Sequence, residues 1–249
     1  MSIYHASTNE HWRCYQISDC HLLADKDAEY QGIQPYWHLQ RLLSTLSPLP
    51  LIFTGDLTQD HSAQSYELLQ QLLQDWPAPV FYVPGNHDDP EMMARIFAHP
   101  PFVAADEIWC ASWQLLLLNT KGETPAGDLS APRLQALTER LALEPLRTAW
   151  IFCHHHPKPI GSSIDAHGLV QSTEFCQLLD QHAKVRGVAH GHCHHAYTAS
   201  HGHWQIVGCP ASSVQFHQAP EWLTFDGGPQ ACHWQFSPSH QVTWEFVVV

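Results

Sequence analysis

The chain has 249 residues, enough to bury a large core in one domain or two. Apolar residues make up 44% and charged residues 14%, a compact globular balance that excludes an intrinsically disordered chain. Eleven Lys and Arg face 24 Asp and Glu, a formal net charge of -13. That argues against bulk nucleic acid or an acidic membrane surface as partner, but not against a small anionic substrate, because bound metal can reverse a local field.

Strand-like and amphipathic helical runs alternate through the first two-thirds of the chain. CYQIS (14–18) is followed by a helical pattern over 36–46, then PLIFT (50–54) and a second helix over 62–74. In that helix Leu68, Leu69, Leu72 and Leu73 share a face, with Gln70, Gln71 and Gln74 turned away. PVFYVP (79–84) precedes a helix over 90–97, and QLLLLN (114–119) one over 131–142. AWIFC (149–153), a helix over 172–182 and KVRGVA (184–189) complete the alternation. Pro90 and Pro132 sit near helix starts, with Ser62 and Ser172 as N-caps. Beyond about residue 195 the pattern is strands only: 203–208, 212–217, 221–226, 232–237 and 241–249, with Gly227-Gly228 and Pro238-Ser239 as turns. The expectation is a single α/β domain over 1–249 whose last part closes a second sheet.

No run of 18 apolar residues predicts a transmembrane helix, and the start, MSIYHASTNEHWRCY, lacks the basic end and apolar centre of a signal peptide. Eight cysteines without a CxxC spacing read as free thiols. A cytoplasmic protein is expected, with no membrane or nucleic-acid partner.

Chemistry-bearing residues recur just after five of the strand-like runs: ISDCH, FTGDLTQD, VPGNHDD, IFCHHHP and AHGHCHH. With 21 histidines in the chain, no single cluster stands above background. Five clusters at C-terminal strand ends would, however, converge on one rim, where ligands bind in α/β sheets. In an extended segment residues i and i+2 face the same way, so Asp19 with His21, and His192 with His194, could reach a shared site. Gly55 and Gly85 would let the backbone turn sharply beside packed ions. Asp56 has two oxygens and could bridge two cations, the arrangement that clamps both oxygens of a phosphoryl transfer. Asp56 and Asn86 alone would also suit turns. Asp88 and Asp89 read as caps of the helix at Pro90; Asp60 reads as a cap or a hydrogen-bonding support. His190, His195, His201 and His203 read as surface or pocket histidines. Cys20, Cys153 and Cys193, although beside candidate ligands, read as small buried apolar groups. The ten tryptophans are expected mostly in the core, and the sequence does not single out one that would stack on a base.

DCH, GDLTQD, GNHDD, HHHP and GHCH, in this order over residues 19 to 194, resemble the signature of calcineurin-like metallophosphoesterases. The likeness looks closest to the class III cyclic-nucleotide phosphodiesterases, with support from TKGETPAGDLSAPRLQALTERL and CPASSVQFHQ. It implies a four-layer α-β-β-α sandwich of two mixed β-sheets flanked by helices. By motif position one metal would take Asp19, His21, His194 and bridging Asp56. The second would take Asp56, Asn86, His192 and one histidine of HHHP, namely His155, two residues before the proline, with His154 as the alternative. His87 would be the catalytic partner of the substrate phosphate, with Asn86 beside it. The mixed imidazole, amide and carboxylate set suits Fe, Mn, Zn or Co, with Fe and Mn favoured. The expected reaction is hydrolysis of a phosphodiester by water activated between the two metals, 3',5'-cyclic AMP giving 5'-AMP. Glycerophosphodiesters or phosphomonoesters are the alternative substrates, and a non-catalytic His-rich metal-binding protein is the rival of another class. The native metals and the oligomeric state stay open.

Overall fold

Residues 1–6 and 10–249 are described by the computed structural model; residues 7–9, part of the opening segment read for a targeting sequence, lie outside them. The six strands expected in the alternating part all form. β2 (Trp12–Ile17), β3 (Leu51–Thr54) and β4 (Val80–Val83) run parallel, with the two-residue β5 (Phe102–Val103) at their edge. β7 (Trp113–Leu117), β8 (Thr148–Cys153) and β9 (Val185–His190) form a second parallel group. Every residue of β3, β7 and β8 is buried, which is why they read as continuous apolar runs instead of alternating ones.

The tail serves both sheets, a correction to the expectation that it closes one. β14 (Gln230–Phe236) pairs antiparallel with β2 and carries β15 (Val242–Val248), giving the order β15-β14-β2-β3-β4-β5. β11 (Trp204–Gly208) pairs with β9 and carries β10 (Tyr197–His201). On the far side β1 (Ile3–His5) and β6 (Glu107–Cys110) complete the seven-stranded order β1-β6-β7-β8-β9-β11-β10. β1, β5, β6 and β10 escaped the sequence reading because they are short or, in β10, largely exposed and polar. The expected strands 212–217 and 221–226 shrink to β12 (Gln215–Phe216) and β13 (Thr224–Phe225), a two-stranded hairpin. Part of the missing length pairs elsewhere: Ser212 N donates to Ser18 O at 3.0 Å.

Side-chain alternation sorts the core into three layers. Ile52 of β3 and Trp150 and Phe152 of β8 point into the space between the sheets, against Trp113 and Trp234. Leu51 and Phe53 point out under α1 (Pro35–Thr45), α2 (Ala63–Leu73) and α3 (Pro90–Ile96), meeting Leu39, Leu69 and Met93. Ile151 and Cys153 point the other way, under α4 (Ala131–Leu143) and α5 (Ser172–Asp180), meeting Leu137 and Leu179. The result is the four-layer α-β-β-α sandwich of two mixed sheets.

Ser62 caps α2 by accepting from Ser65 N, and Asp89 caps α3 by accepting from Glu91 N and Met92 N. Ser172 is no cap; it is the first helical residue, and its hydroxyl donates to Pro157 O at 2.6 Å. No helix among the described residues is long and apolar enough to cross a membrane.

Candidate metal centre

The C-terminal ends of β2, β3 and β4 in one sheet and of β8 and β9 in the other meet at one edge of the sandwich. The rim that the motifs share therefore belongs to two stacked sheets. The seam is hydrogen-bonded: His154 Nδ1 lies 2.7 Å from Thr54 O, and Gly191 N donates to His154 O at 3.1 Å. Gln16 spans it from β2, donating to Thr54 Oγ1 and to His190 O.

The ligand-type residues stand beyond the strand ends, and alternation is not what aims them. Asp19, His21, Asp56, His192 and His194 have φ of 55°, 49°, 51°, 65° and 49°. This left-handed region is uncommon outside glycine, and Asp and His are among the side chains that tolerate it best. Each such residue stores strain of order 1–3 kcal/mol that the surrounding structure must hold. Two glycines allow the crowding. A Cβ on Gly55 would lie 2.5 Å from His154 Nδ1, and one on Gly85 would collide with the Asp56 carboxylate.

The six residues Asp19, His21, Asp56, His154, His192 and His194 are at most 4% exposed, and their polar atoms converge. His21 Nε2 is 3.0 Å from His194 Nε2 and 3.7 Å from Asp56 Oδ2; His194 Nε2 is 3.4 Å from Asp19 Oδ1. Around the other Asp56 oxygen, His154 Nε2 is 3.4 Å from Oδ1, 3.1 Å from Asn86 Oδ1 and 3.2 Å from His192 Nδ1. The outer nitrogen of every one of these imidazoles is already committed to a carbonyl. His21 Nδ1 donates to Gln59 Oε1 (2.7 Å), His194 Nδ1 to Val214 O (2.7 Å), His154 Nδ1 to Thr54 O, and His192 Nε2 to His167 O (3.0 Å). A carbonyl only accepts, so in the neutral form of each ring the hydrogen sits on the outer nitrogen and the inner one presents a lone pair. Lone pairs facing lone pairs and carboxylates at these distances repel unless a cation lies among them. Outer nitrogens held by carbonyls are also the usual way a metal-ligating histidine is oriented. The residues present fit two metal ions sharing Asp56.

Electrostatics agree. Burial alone would raise the pKa of Asp56, yet His154, His21 and His87 hold it well below the ordinary carboxylate value. Asp19 is likewise lowered, by His194 and His154 against its burial. Burial drives His21 down to about 3 and His192 well below its usual value. His154 goes the other way: burial lowers it, but Asp56 and then Asp19 raise it further, to about 9. A proton there satisfies only one of the three acceptors around Nε2, whereas a cation satisfies all of them. Below pH about 9 the metal-free chain carries this proton, and a cation must displace it. Loading metal at pH 7 in weak buffer should release close to one proton per chain from this group, and the release should fade as pH rises through about 9; pH-stat titration measures it.

Placement differs from the motif-based expectation at one position. His155, not His154, stood two residues before the proline, but both ring nitrogens of His155 are engaged elsewhere. Nδ1 meets Thr120 Oγ1 at 2.9 Å and Nε2 donates to Pro125 O at 3.1 Å. Its ring lies close, 4.7 Å from that of His192, and the three histidines form one possible ligand group. Only His154, however, points a lone pair at Asp56 and Asn86. The other expected residues, Asp19, His21, Asp56, Asn86, His192 and His194, come together.

His87 stands over this cluster, half-buried, its ring edge-to-face with His21 at 5.2 Å and its backbone N donating to Asp56 Oδ1 at 2.8 Å. Asp88 does not cap α3. Fully buried, it accepts from Leu57 N, Thr58 N, Gly85 N and Tyr66 Oη, tying together the two loops that carry Asp56 and Asn86. Burial and the Asp56 charge push it up to about 7. Asp60 accepts from Ala24 N, Ser62 N and Ser65 Oγ, outside the cluster. His190 is buried but bonds Gly191 O and Tyr197 Oη; His201 pairs with Asp180, and His203 Nε2 lies 3.2 Å from His182 O. Cys20, Cys153 and Cys193 are buried in apolar clusters, and burial pushes the Cys153 thiol up to about 12. The orienting carbonyls of Thr54, His167 and Val214 were invisible in the sequence, because a backbone oxygen carries no residue signature. Lys121, whose Nζ donates to Asn86 O at 2.9 Å, was missed as well; its lone charge in a loop carried no spacing to mark it.

A cavity of about 190 Å³ opens over the cluster, walled by His21, Asp56, Asn86, His87, His192 and His194 and by the apolar side chains of Tyr30, Pro125, Ile164, Phe216 and Trp222. Fold and site together suit a metal-dependent phosphoesterase. The family model for calcineurin-like phosphoesterases matches residues 13–196, and the chain belongs to that family, whose members are hydrolases that use a dinuclear metal centre. A probable cyclic nucleotide phosphodiesterase of Pseudoalteromonas sp. (strain SM9913) is 38% identical over 223 residues, 87% of this chain and 84% of its own. The 3',5'-cyclic adenosine monophosphate phosphodiesterase CpdA of Haemophilus influenzae is 31% identical over 219 residues, 85% of this chain and 80% of its own. Among solved structures, a dimetal phosphatase from Danio rerio superposes with a TM-score of 0.66 over 95% of this chain and 98% of its own, at 13% identity, a likeness of fold.

Proposed function

We propose that the chain is a dinuclear-metal phosphodiesterase that opens 3',5'-cyclic AMP to 5'-AMP. The observation that carries this reading is the buried set of inward-facing lone pairs, divided into two groups by the two oxygens of Asp56. One ion would be held by Asp19, His21, His194 and Asp56, the other by Asp56, Asn86, His154 and His192. The donor set suits Fe, Mn, Zn or Co, with Fe and Mn favoured. Bound there, the ions supply Lewis acidity to the phosphoryl oxygens and lower the pKa of water towards neutrality.

The chain's own residues do the rest. Burial of the carboxylates and imidazoles keeps bulk water from weakening their fields, and the fixed outer hydrogen bonds spare the site reorganisation during reaction. His87, anchored through its backbone N to the bridging carboxylate, is placed to donate a proton to the leaving 3'-oxygen as its bond to phosphorus breaks. Asn86 and His87 both face the cavity where the phosphate would lie. The two relatives above, a probable cyclic nucleotide phosphodiesterase and a 3',5'-cyclic adenosine monophosphate phosphodiesterase, support a cyclic nucleotide as substrate. All eight cysteines are free and buried, as suits a reducing cytoplasm.

Rates on cyclic AMP, cyclic GMP, glycerophosphocholine and a simple phosphomonoester, measured side by side on metal-loaded protein, test the substrate. Cyclic AMP is expected to have the highest kcat/KM. A higher value for glycerophosphocholine or the monoester would replace it, and no turnover of any, with more than two metals bound per chain, would support metal storage instead.

A further inference from the structure

Of the ten tryptophans, Trp222 alone lines the cavity over the metal centre. It belongs to the loop of the β12–β13 hairpin and is 50% exposed, whereas Trp113, Trp150, Trp204 and Trp234 are wholly buried. We infer that Trp222 is the platform on which the substrate's nucleobase stacks. This rests on the nucleotide reading above and adds to it the residue that would distinguish a nucleotide from other phosphodiesters.

The hairpin is tied to the metal cluster in two ways. Phe216 N donates to His194 O at 3.3 Å, and the Phe216 ring stacks on the His194 imidazole at 3.9 Å and 8°. Trp222 then packs on Phe216 at 4.6 Å and 54°. Phe216, only 4% exposed, is filled on both sides and serves as a spacer. It holds the indole two ring contacts from His194, in the wall of the cavity over the cluster. His217 N donates to Leu223 O at 2.9 Å, and Gln215 Oε1 accepts from Gly227 N at 2.6 Å, so the base of the loop is braced. A half-exposed indole at the cavity wall costs apolar exposure for no gain in the core. The base is uncharged, so neither the metals nor any cation recruits it, and it needs a contact that does not depend on charge. Stacking supplies one, since every base has a π-face.

The test uses metal-loaded protein and two probes, 5'-AMP and inorganic phosphate, with affinities measured by calorimetry. Trp222→Ala should weaken AMP by about tenfold, within the range that aromatic stacking contributes per base, and phosphate by no more than about twofold. Trp222→Phe, which keeps a stacking face, should restore AMP affinity to within about threefold. Equal weakening of both probes would show a structural role and overturn the inference, as would unchanged AMP affinity in Trp222→Ala or no rescue by Phe. The activity reading fails separately. A wild type that binds AMP through Trp222 yet leaves cyclic AMP intact keeps the platform and discards the reaction. A wild type that turns over cyclic AMP with AMP affinity indifferent to Trp222 does the reverse.

Discussion

Asp56→Ala is expected to lower phosphodiester turnover by at least about a thousandfold, because in the proposed arrangement Asp56 would serve both metal positions at once. Its two oxygens face different histidines, Oδ1 towards His154 at 3.4 Å and Oδ2 towards His21 at 3.7 Å. No other carboxylate among the described residues stands between these two groups; Asp19 serves the His194 side, and Asp88 is consumed by backbone donors. Oδ1 also accepts from His87 N, so the substitution would free the loop that carries the proposed proton donor. Metal content by mass spectrometry, measured on protein that circular dichroism shows to be folded, should fall below two per chain. Full activity in this variant, or unchanged metal content, would overturn the dinuclear reading.

The second expectation separates two adjacent histidines. His154→Ala should lower turnover by about a hundredfold or more and release the metal shared with Asn86 and His192. His155→Ala should keep both metals and stay within about tenfold of wild-type activity, losing instead stability of about 1–3 kcal/mol, the cost of leaving a buried polar partner unsatisfied. The difference lies in what each ring already bonds. His154 spends only its outer nitrogen, on Thr54 O; His155 spends both, on Thr120 Oγ1 and Pro125 O, and its ring packs where a Cβ on Gly127 would touch it. Metal-to-protein ratios and thermal unfolding of the two variants read this directly, and the opposite pattern would make His155 the ligand.

Much of the protein was legible in one dimension because its strongest signals are local. Buried parallel strands such as LIFT and TAWIFC announce themselves as short apolar runs between helical patterns. Helix starts were read correctly where a side chain does the capping, at Ser62 and Asp89. They were misread at Ser172, whose hydroxyl serves Pro157 O, and at Asp88, whose carboxylate serves three backbone donors across two loops. A short polar side chain can cap its own helix or bond a distant segment, and only the distant segment's position decides which. Alternation predicted that Asp19 and His21 would share one position and that His192 and His194 would reach two neighbouring ones. The side chains do reach the two groups, but through left-handed backbone turns beyond the strand ends, a conformation that Asp and His permit without advertising.

The sequence by itself determined the α/β class, the ordered series of metal-capable residues after successive strands, and thereby the family, since those depend on residue identity and short-range period. The tertiary structure decided that the rim spans two sheets, that the tail contributes to both, that His154 and not His155 faces Asp56, and that Trp222 is the tryptophan over the site. These were settled only in three dimensions because each depends on which backbone carbonyl or neighbouring ring occupies one nitrogen or one face of a side chain. For the two histidines those partners lie 30 to 100 residues away along the chain, Thr54 for His154 and Thr120 and Pro125 for His155, and the hairpin of Trp222 is placed by Phe216 packing on His194.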